Sequence, residues 1–310
     1  MKFAFIADIP GWALHREGLG LVKYGSVDGH SWDLYHCNPF DFTADQLEPY
    51  DAIRPGSASN ILWMKMHGKL PWNPLLVASV ASFWDIPRAT PEVLASIEMH
   101  ADAFAVVDPR LLEHCARFGR PSFVFSDRCD HEFFYPMPAA RPSYGPLRVG
   151  WAGSQSYWPG VKNREWIEQA CAELGLVFVR QDRELDGTKN ADEMRAWYAS
   201  LDMYGVANIT DTPTPVPWIE AAACGVQVIG TRCGELWQPL QEHCAASIVQ
   251  DVSRQAVFST LSEMAKLGRA GLHTLGHSFR DQNLHRLYWH LSTAQQHTRE
   301  IAALCAGGGA

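Results

Sequence analysis

Residues 220–231 read EAAACGVQVIGT, and this stretch decides the fold. Small side chains at 221–224 suit a short helix packed close to a sheet, Gly225 ends that helix, and residues 226–230 form an apolar strand. Glu220 is expected in the first turn of the helix, where the helix dipole favours a carboxylate. A short helix that leads directly into a buried strand is typical of a parallel α/β repeat.

The same alternation extends outward over the whole chain. Strands are predicted at residues 2–9, 31–37, 52–53, 75–80, 103–107, 122–125, 147–152, 176–180, 203–209 and 226–230. Helices are predicted from the turn at Pro10-Gly11 to about residue 24, at 57–69, 91–100, 109–117, 163–174, 190–201 and 217–224, and from 254 almost to the end. Strands separated by helices indicate parallel sheets that are covered on both faces.

A proline-rich segment interrupts this alternation. Residues 136–146 read PMPAARPSYGP, which is the composition of a linker. We therefore predict two Rossmann-like, doubly wound α/β domains at residues 1–136 and 147–310, joined by a linker at 137–146. Ligands of such sheets bind at the carboxyl ends of the strands, which here predicts a site in the cleft between the two domains.

The composition excludes several classes of protein. Of the 310 residues, 47% are hydrophobic and 19% are charged, which is typical of a globular chain. The net charge is −8, whereas a nucleic-acid-binding domain carries an excess of Lys and Arg. No stretch approaches the roughly 18 apolar residues of a membrane helix, and the eight cysteines contain no CxxC pair. We expect a cytoplasmic protein without a transmembrane segment.

Two polar segments of the second half are candidates for binding a phosphorylated ligand. The strand that contains Trp151 runs into a turn at Gly153-Ser154, and Lys162-Asn163 precedes a helix whose first N–H groups lack helical partners. A glycine lets a ligand approach the backbone closely, and the ammonium of Lys162 suits the same anion. The alternative interpretation is a tight turn with a solvated lysine.

Ahead of Glu220 lies a loop, residues 210–217, that reads TDTPTPVP. Its prolines stiffen the loop, and they place the hydroxyl of Thr212 and the carboxylate of Asp211 before the helix. The alternative interpretation of Glu220 is that it merely caps this helix.

The order of four segments resembles the nucleotide-binding domain of glycosyltransferase family 4. These segments are the glycine turn, Lys162-Asn163, the stretch EMRAWYASLD at 193–202 and the block IEAAACGVQVIGT at 219–231. These are retaining enzymes of the GT-B architecture. Residues 125–136, FSDRCDHEFFYP, resemble the segment that closes the family's N-terminal domain. The resemblance covers about residues 103–290 well, and residues 1–102 through topology only.

The resemblance implies roles for individual residues. Lys162 matches the lysine that contacts the donor diphosphate, and Glu220 matches the second glutamate of a pair, which binds the ribose hydroxyls. Thr212 occupies the position of the first glutamate, so Asp211 is the candidate to supply that carboxylate. The family's arginine, a few residues before its lysine, is also missing.

The same resemblance extends the site to the first turn of the N-terminal domain. There Gly11 and Trp12 are expected to face the donor across the cleft. On the helix that follows, His15 and Arg16 are candidates for contact with a phosphate or an acceptor hydroxyl. Together with Gly153, Ser154 and Asn163, these residues complete the predicted site.

The implied reaction moves a sugar from a nucleotide sugar, carrying UDP or GDP, to a glycan or another hydroxyl acceptor, and a lipid-linked glycan is the default acceptor. Lys162 and a helix start can stabilise the leaving diphosphate. The sequence has no Asp-X-Asp triplet, and His273 and His277 lack a third ligand, so neither a metal site nor a further cofactor is predicted.

Three other hypotheses remain open: an inert protein that binds sugar nucleotides, a sugar-nucleotide epimerase, and an enzyme that glycosylates hydroxymethylated bases of phage DNA. The net charge of −8 disfavours a nucleic-acid acceptor.

Overall fold

A computed structural model describes residues 1–10, 13–82, 85–125, 128–138, 144–154, 160–187, 189–209, 212, 215–234, 236–288 and 291–307. The chain divides into two compact units. Unit 1 comprises Met1–Asp127 together with Trp289–Ala310, and unit 2 comprises Arg128–Tyr288.

Unit 1 is built on a six-stranded parallel sheet with the strand order β2-β1-β3-β4-β5-β6. Its strands are β1 (Lys2–Ala7), β2 (Ser31–His36), β3 (Ala52–Pro55), β4 (Leu75–Val80), β5 (Ala103–Val106) and β6 (Ser122–Val124). Its helices are α1 (Ala13–Tyr24), α2 (Ala44–Leu47), α3 (Ala58–Met66), α4 (Pro91–His100), α5 (Leu112–Ala116) and, from the end of the chain, α14 (Leu291–Gly307).

Both faces of this sheet are buried, as the sequence of β1 shows. Alternate side chains of a strand point to opposite faces of the sheet. Phe3, Phe5 and Ala7 pack into one hydrophobic cluster, while Ala4 and Ile6 pack into another. All five are fully buried, which is why the strand reads as a continuous apolar run.

Unit 2 is built on a four-stranded parallel sheet with the order β10-β9-β7-β8. The strands are β7 (Arg148–Gly153), β8 (Val177–Asp182), β9 (Met203–Val206) and β10 (Gln227–Gly230). The helices are α6 (Arg164–Leu174), α7 (Arg183–Asp186), α8 (Ala191–Ala199), α9 (Val216–Ala223), α10 (Trp237–His243), α11 (Arg254–Ala265), α12 (Gly268–Gln282) and α13 (Leu284–Leu287).

Helices cover both faces of this sheet too. Val149 and Trp151 of β7 belong to one hydrophobic cluster and Ala152 to another. Helix α12 lies so close to the entry of β10 that a Cβ on Gly276 would stand 2.4 Å from the carbonyl oxygen of Gly225. Only a glycine fits this crossing.

The division into units differs from the predicted one at two places. The prediction assigned residues 1–136 to the first domain and 147–310 to the second, but residues 128–136 group with unit 2 and residues 289–310 with unit 1. The reason for the second difference is a set of buried contacts made by α14. Thr298 accepts a hydrogen bond from the indole N–H of Trp32 (2.9 Å) and donates to the carbonyl of Gly25 (2.7 Å), and Ile301 joins the cluster of Phe3.

All ten predicted strands are present, and the fold class is the predicted one. The prediction missed the short helices α2, α7 and α10. The prediction that Glu220 lies in the first turn of its helix was also wrong. Helix α9 begins at Val216, so Glu220 lies beyond the first turn. Within the described residues, no helix is both long and apolar enough to cross a membrane.

Candidate functional site

A small cavity lies at the carboxyl edge of the unit 2 sheet, the edge at which α/β sheets bind their ligands. Its volume is about 30 Å³. The residues that line it come from the ends of β7 and β9, from the two loops that follow and from the start of α9: Trp151, Ala152, Lys162, Tyr204, Gly205, Val206, Asn208, Pro215 and Pro217.

Lys162 and Gly153 meet at this edge. The ammonium of Lys162 lies so near the backbone of Gly153 that a Cβ at that position would stand 3.0 Å from Nζ and 3.2 Å from the Trp151 ring. The absence of a side chain at Gly153 therefore makes the room that the lysine occupies. The two residues that the sequence paired as a phosphate site are neighbours in the structure.

Asn163 holds the loop that carries Lys162. It is the N-cap residue of α6 and adopts a left-handed backbone conformation with φ 43° and ψ 41°. Its side chain does not cap the helix; Nδ2 instead donates to the carbonyl of Ala207 at 2.9 Å. The backbone N–H of Ile209 donates to the carbonyl of Val161 at 2.9 Å. The loop after β7 is thus fastened to the loop after β9, and Asn163 acts there as a positioning residue.

Ser154, a predicted donor-binding residue, contacts the start of α7. Ser154 is 5% exposed, and its hydroxyl donates to the carboxylate of Glu184 at the start of α7. The adjacent Asp182, at the end of β8, accepts from the guanidinium of Arg164 at 3.3 Å. Sequence analysis did not single out Glu184, which belongs to one of the short helices that it missed.

Glu220 is buried inside unit 2. Its side chain is 1% exposed, and Oε2 accepts a hydrogen bond of 2.8 Å from the hydroxyl of Tyr198 on α8. Nearby, the hydroxyl of Tyr204 donates to the carbonyl of Ala152 at 3.3 Å. Burial is the main cause that raises the pKa of Tyr204, and the negative charge of Glu220 adds to it. The glutamate thus belongs to a polar cluster with two tyrosines that the sequence did not reveal.

Thr212 is 7% exposed, and its hydroxyl is used within its own loop. Oγ1 donates to the carbonyl of Ile209 at 2.9 Å and accepts from the amide of Asn208 at 3.4 Å. The carbonyl of Thr212 accepts the backbone N–H of Gly234 at 2.9 Å. These bonds give Thr212 a role in shaping the loop.

Three predicted site residues, Gly11, Trp12 and Asp211, lie outside the described part of the chain. Of the remaining two, both on α1, Arg16 is partly buried next to His15. His15 Nδ1 lies 2.7 Å from Nε2 of His36, and Nδ1 of His36 lies 2.7 Å from Oδ2 of Asp41.

Sequence analysis identified His15 but neither His36 nor Asp41. His36 is the last residue of β2, one residue before the end of the strand predicted at 31–37, and polar residues near such a strand end are a usable signal. Burial lowers the pKa of His15, and His36 and then Arg16 lower it further.

A second polar group lies at the carboxyl edge of the unit 1 sheet. Burial raises the pKa of Asp85 to about 6, although hydrogen bonds from Ser82 and Ser57 oppose the shift. The carboxylate accepts from the backbone N–H of Ser82 (2.8 Å) and from the hydroxyl of Ser57 (3.2 Å). These partners make Asp85 a residue that ties together the loops after β3 and β4. Across the described ranges, no three His, Cys, Asp or Glu side chains are grouped so that they could hold a metal ion.

Solved structures that share this fold include glycosyltransferases. HepE of Anabaena in complex with UDP-glucose is 11% identical, with 98% of this chain and 99% of that chain covered and a TM-score of 0.67. Sucrose-phosphate synthase of Thermosynechococcus elongatus is 15% identical, with 98% and 99% covered and a TM-score of 0.66. A glycosyltransferase from Rickettsia africae is 12% identical, with 99% of each chain covered and a TM-score of 0.65.

At identities this low, the structural similarity shows the fold alone. The chain consists of two parallel-sheet α/β units, the fold class of GT-B glycosyltransferases. No protein-family model matches the sequence, and no curated protein matches it. Membership of glycosyltransferase family 4 stays a prediction.

Proposed function

We propose that the protein is a glycosyltransferase that moves a sugar from a nucleotide sugar, carrying UDP or GDP, to a hydroxyl acceptor. The observation that carries the proposal is the contact of Lys162 with Gly153 at the carboxyl edge of the unit 2 sheet. Lys162 lies on the loop that leads into α6, and this combination suits a diphosphate because phosphate binds both ammonium groups and the N–H groups at a helix start. HepE, which has the same fold, was solved with UDP and with UDP-glucose, which supports a uridine nucleotide.

Two binding measurements test this function, thermal shift and calorimetry. The ligands are UDP, GDP, uridine, UDP-glucose, UDP-N-acetylglucosamine and GDP-mannose. Ligands that bind the folded protein raise its melting temperature according to their affinity. Lys162→Met should weaken UDP or GDP binding by about 1.5–3 kcal/mol, the range for a charge-assisted bond, and leave nucleoside binding unchanged. Lys266→Met, which removes an exposed lysine from the same unit, is the control and should bind like the wild type. Equal diphosphate affinity in both variants would remove Lys162 from the site.

The finer features of the reaction belong to the same proposal. Retention of the anomeric configuration rests on the resemblance of residues 219–231 to glycosyltransferase family 4. Metal independence rests on Lys162 as the cation that faces the diphosphate, and it predicts turnover that survives EDTA. Loss of turnover with EDTA and its recovery with manganese would contradict it. A glycan or lipid-linked glycan is the proposed acceptor, because the net charge of −8 opposes a polyanionic one.

Two observations favour a second candidate, a protein that binds sugar nucleotides without turning them over. The hydroxyl of Thr212 donates within its own loop, and Glu220 is buried against Tyr198. Turnover separates the two candidates, since both bind nucleotide. Release of UDP or GDP from its sugar nucleotide over hours, absent in Lys162→Met, supports the enzyme; tight binding without any release supports the inert protein.

A further inference from the structure

The sheet of unit 2 begins with a β-α-β arrangement, and a carboxylate follows its second strand. Strand β7 ends at Gly153, α6 follows, and β8 runs parallel to β7 with Asp182 opposite Gly153. Glu184 lies two residues beyond Asp182, in α7, and it is exposed. In α/β units that bind nucleotides, the turn after the first strand takes the phosphates, and an acidic residue after the second strand accepts from the ribose hydroxyls. Glu184 has the place of that acidic residue.

The other two acidic side chains around α7 hold the local backbone. Asp182 accepts from the guanidinium of Arg164 at 3.3 Å and from the backbone N–H of Glu184 at 3.1 Å, which caps α7. Asp186 accepts the backbone N–H of Asp182 at 2.7 Å. These bonds fix α7 at the end of β8. The position of Glu184 relative to the sheet is therefore determined by the backbone around it.

The hydrogen bond from Ser154 places the carboxylate of Glu184 beside the proposed phosphate site. Ser154 is 5% exposed, and its hydroxyl donates to Oε1 of Glu184. The preceding residue, Gly153, is the one whose missing side chain makes room for the ammonium of Lys162. A carboxylate accepts through about four lone-pair positions, so it can accept from Ser154 and from the hydroxyls of a ligand at the same time.

Exposure distinguishes Glu184 from Glu220, to which the resemblance assigns the ribose. Glu220 is 1% exposed and accepts from the hydroxyl of Tyr198 at 2.8 Å, whereas a ligand that arrives from solvent reaches Glu184 directly. Next to Glu184, the side chain of Leu185 is 66% exposed. Covering such an apolar side chain is favourable, and a nucleobase has a flat apolar face that can cover it. Helix α7 thus offers a hydrogen-bond acceptor and an apolar surface, the two features that a nucleoside requires.

We propose that Glu184 binds the ribose of the donor nucleotide, which rests on the function proposed above, and that it selects ribonucleotides over deoxyribonucleotides. The 2′- and 3′-hydroxyls donate to its carboxylate, the nucleobase packs against Leu185, and the diphosphate lies toward Lys162 and Gly153. Ser154 is a positioning residue, because its hydroxyl holds the carboxylate in place. A deoxyribose lacks one of the two donors, so it loses a charge-assisted hydrogen bond to Glu184.

The ratio of two affinities tests the proposal. Calorimetry is carried out with UDP or GDP, whichever binds the wild type more tightly, and with its 2′-deoxy and 3′-deoxy counterparts. The wild type should prefer the ribonucleotide to each counterpart by about 10-fold or more, the effect of one hydrogen bond to a charged group. Glu184→Ala removes the acceptor at an exposed position, so the preference should fall to about 2-fold or less. Contacts to the diphosphate are common to the compared nucleotides and cancel in the ratio.

Two further variants examine the positioning role and provide the control. Ser154→Ala keeps the carboxylate but removes the hydroxyl that holds it, so it should lower the preference by a smaller factor than Glu184→Ala. A merely structural serine would change the affinity for all three nucleotides equally and leave the preference unchanged. Glu263→Ala removes a glutamate of the same unit whose side chain is 58% exposed, and it should keep the wild-type preference. Thermal unfolding without ligand verifies that each variant is folded.

Several outcomes overturn the inference. An unchanged preference in Glu184→Ala would exclude Glu184 from the ribose and leave the proposed function standing, and its loss in Glu220→Gln instead would assign the ribose to Glu220. Tighter binding of all three nucleotides by Glu184→Ala would mean that the carboxylate repels the diphosphate. A wild type that binds nucleotides without any preference for ribose would refute this inference alone. A wild type that binds neither UDP nor GDP would refute the proposed function and this inference with it.

Discussion

Asn163 is expected to stabilise the protein through its left-handed backbone conformation and its side-chain hydrogen bond. An alanine in its place would lose the hydrogen bond to Ala207, worth about 1 kcal/mol, and pay about 1–2 kcal/mol for a left-handed backbone. Asn163→Ala should therefore lower the free energy of unfolding by about 2–3 kcal/mol, measured by urea denaturation. Asn163→Gly tolerates φ 43° and should lose only about 1 kcal/mol. Equal losses in the two variants would mean that this backbone is not strained.

The sequence indicated the positions of site residues better than their contacts. The glycine turn and Lys162 could be paired because both follow one strand and are close in the sequence. The partner of Asn163 lies 44 residues away, and that of Glu220 lies 22 residues away. No local pattern specifies which backbone carbonyl or tyrosine a side chain will meet across a folded sheet. The same holds for His15, whose partner is 21 residues away.

At the scale of elements, all ten strands were predicted because buried parallel strands read as apolar runs, for example at residues 3–7. Helix α9 began earlier than expected because Pro215 and Pro217 suit the start of a helix, which moved Glu220 beyond the first turn. The short helices α2 and α7 each have four residues, too few for an apolar periodicity to appear. Tertiary contacts stabilise such segments, and a single sequence does not display them.

Helix α14 carries a buried histidine that should make stability depend on pH. His297 is 3% exposed, and its Nε2 accepts from Nη1 of Arg54 at 3.2 Å, an arrangement that requires a neutral imidazole. Burial and the positive charge of Arg54 lower the pKa of His297 well below 6.5. Above pH 6.5 neither state binds this proton, and the stability is fully present. As the pH falls below 6.5 the unfolded chain takes the proton and the folded protein does not, so stability is lost.

The expected loss is at most about 1.4 kcal/mol per pH unit from this one group. Urea denaturation between pH 5 and pH 7.5 measures it in the wild type and in His297→Gln. The glutamine can still accept from Arg54 but does not titrate, so the pH dependence of the variant should be shallower. His15 titrates in both proteins and cancels in the difference. Parallel curves for the two proteins would show that His297 is protonated as easily in the folded state as in the unfolded one.

At the scale of the whole molecule, the two units do not follow one another along the chain. Unit 1 is made of both ends of the chain, and unit 2 of its middle. The proline-rich segment at 136–146 marked a composition change, but it did not reveal that α14 returns to unit 1. That return depends on Trp32, Gly25 and Arg54, each more than 240 residues from its partner on α14. An apolar helix face by itself does not specify which unit it will cover.

Removal of α14 should therefore destabilise the two units unequally. Ala294, Thr298 and Ile301 are fully buried in unit 1, and Trp32 and Gly25 lose hydrogen-bond partners when the helix is deleted. Burial of an isoleucine alone is worth about 1.5–3 kcal/mol, a large part of the 5–15 kcal/mol that typically stabilises a domain. Hydrogen exchange measured by mass spectrometry on a chain that ends at residue 288 should show lost protection in β1–β3 and retained protection in β7, β9 and β10. A chain that lacks only residues 308–310 is the matched control and should exchange like the full chain. Equal loss of protection in both units would mean that α14 stabilises the whole molecule, and unchanged protection in β1–β3 would mean that unit 1 holds together without it.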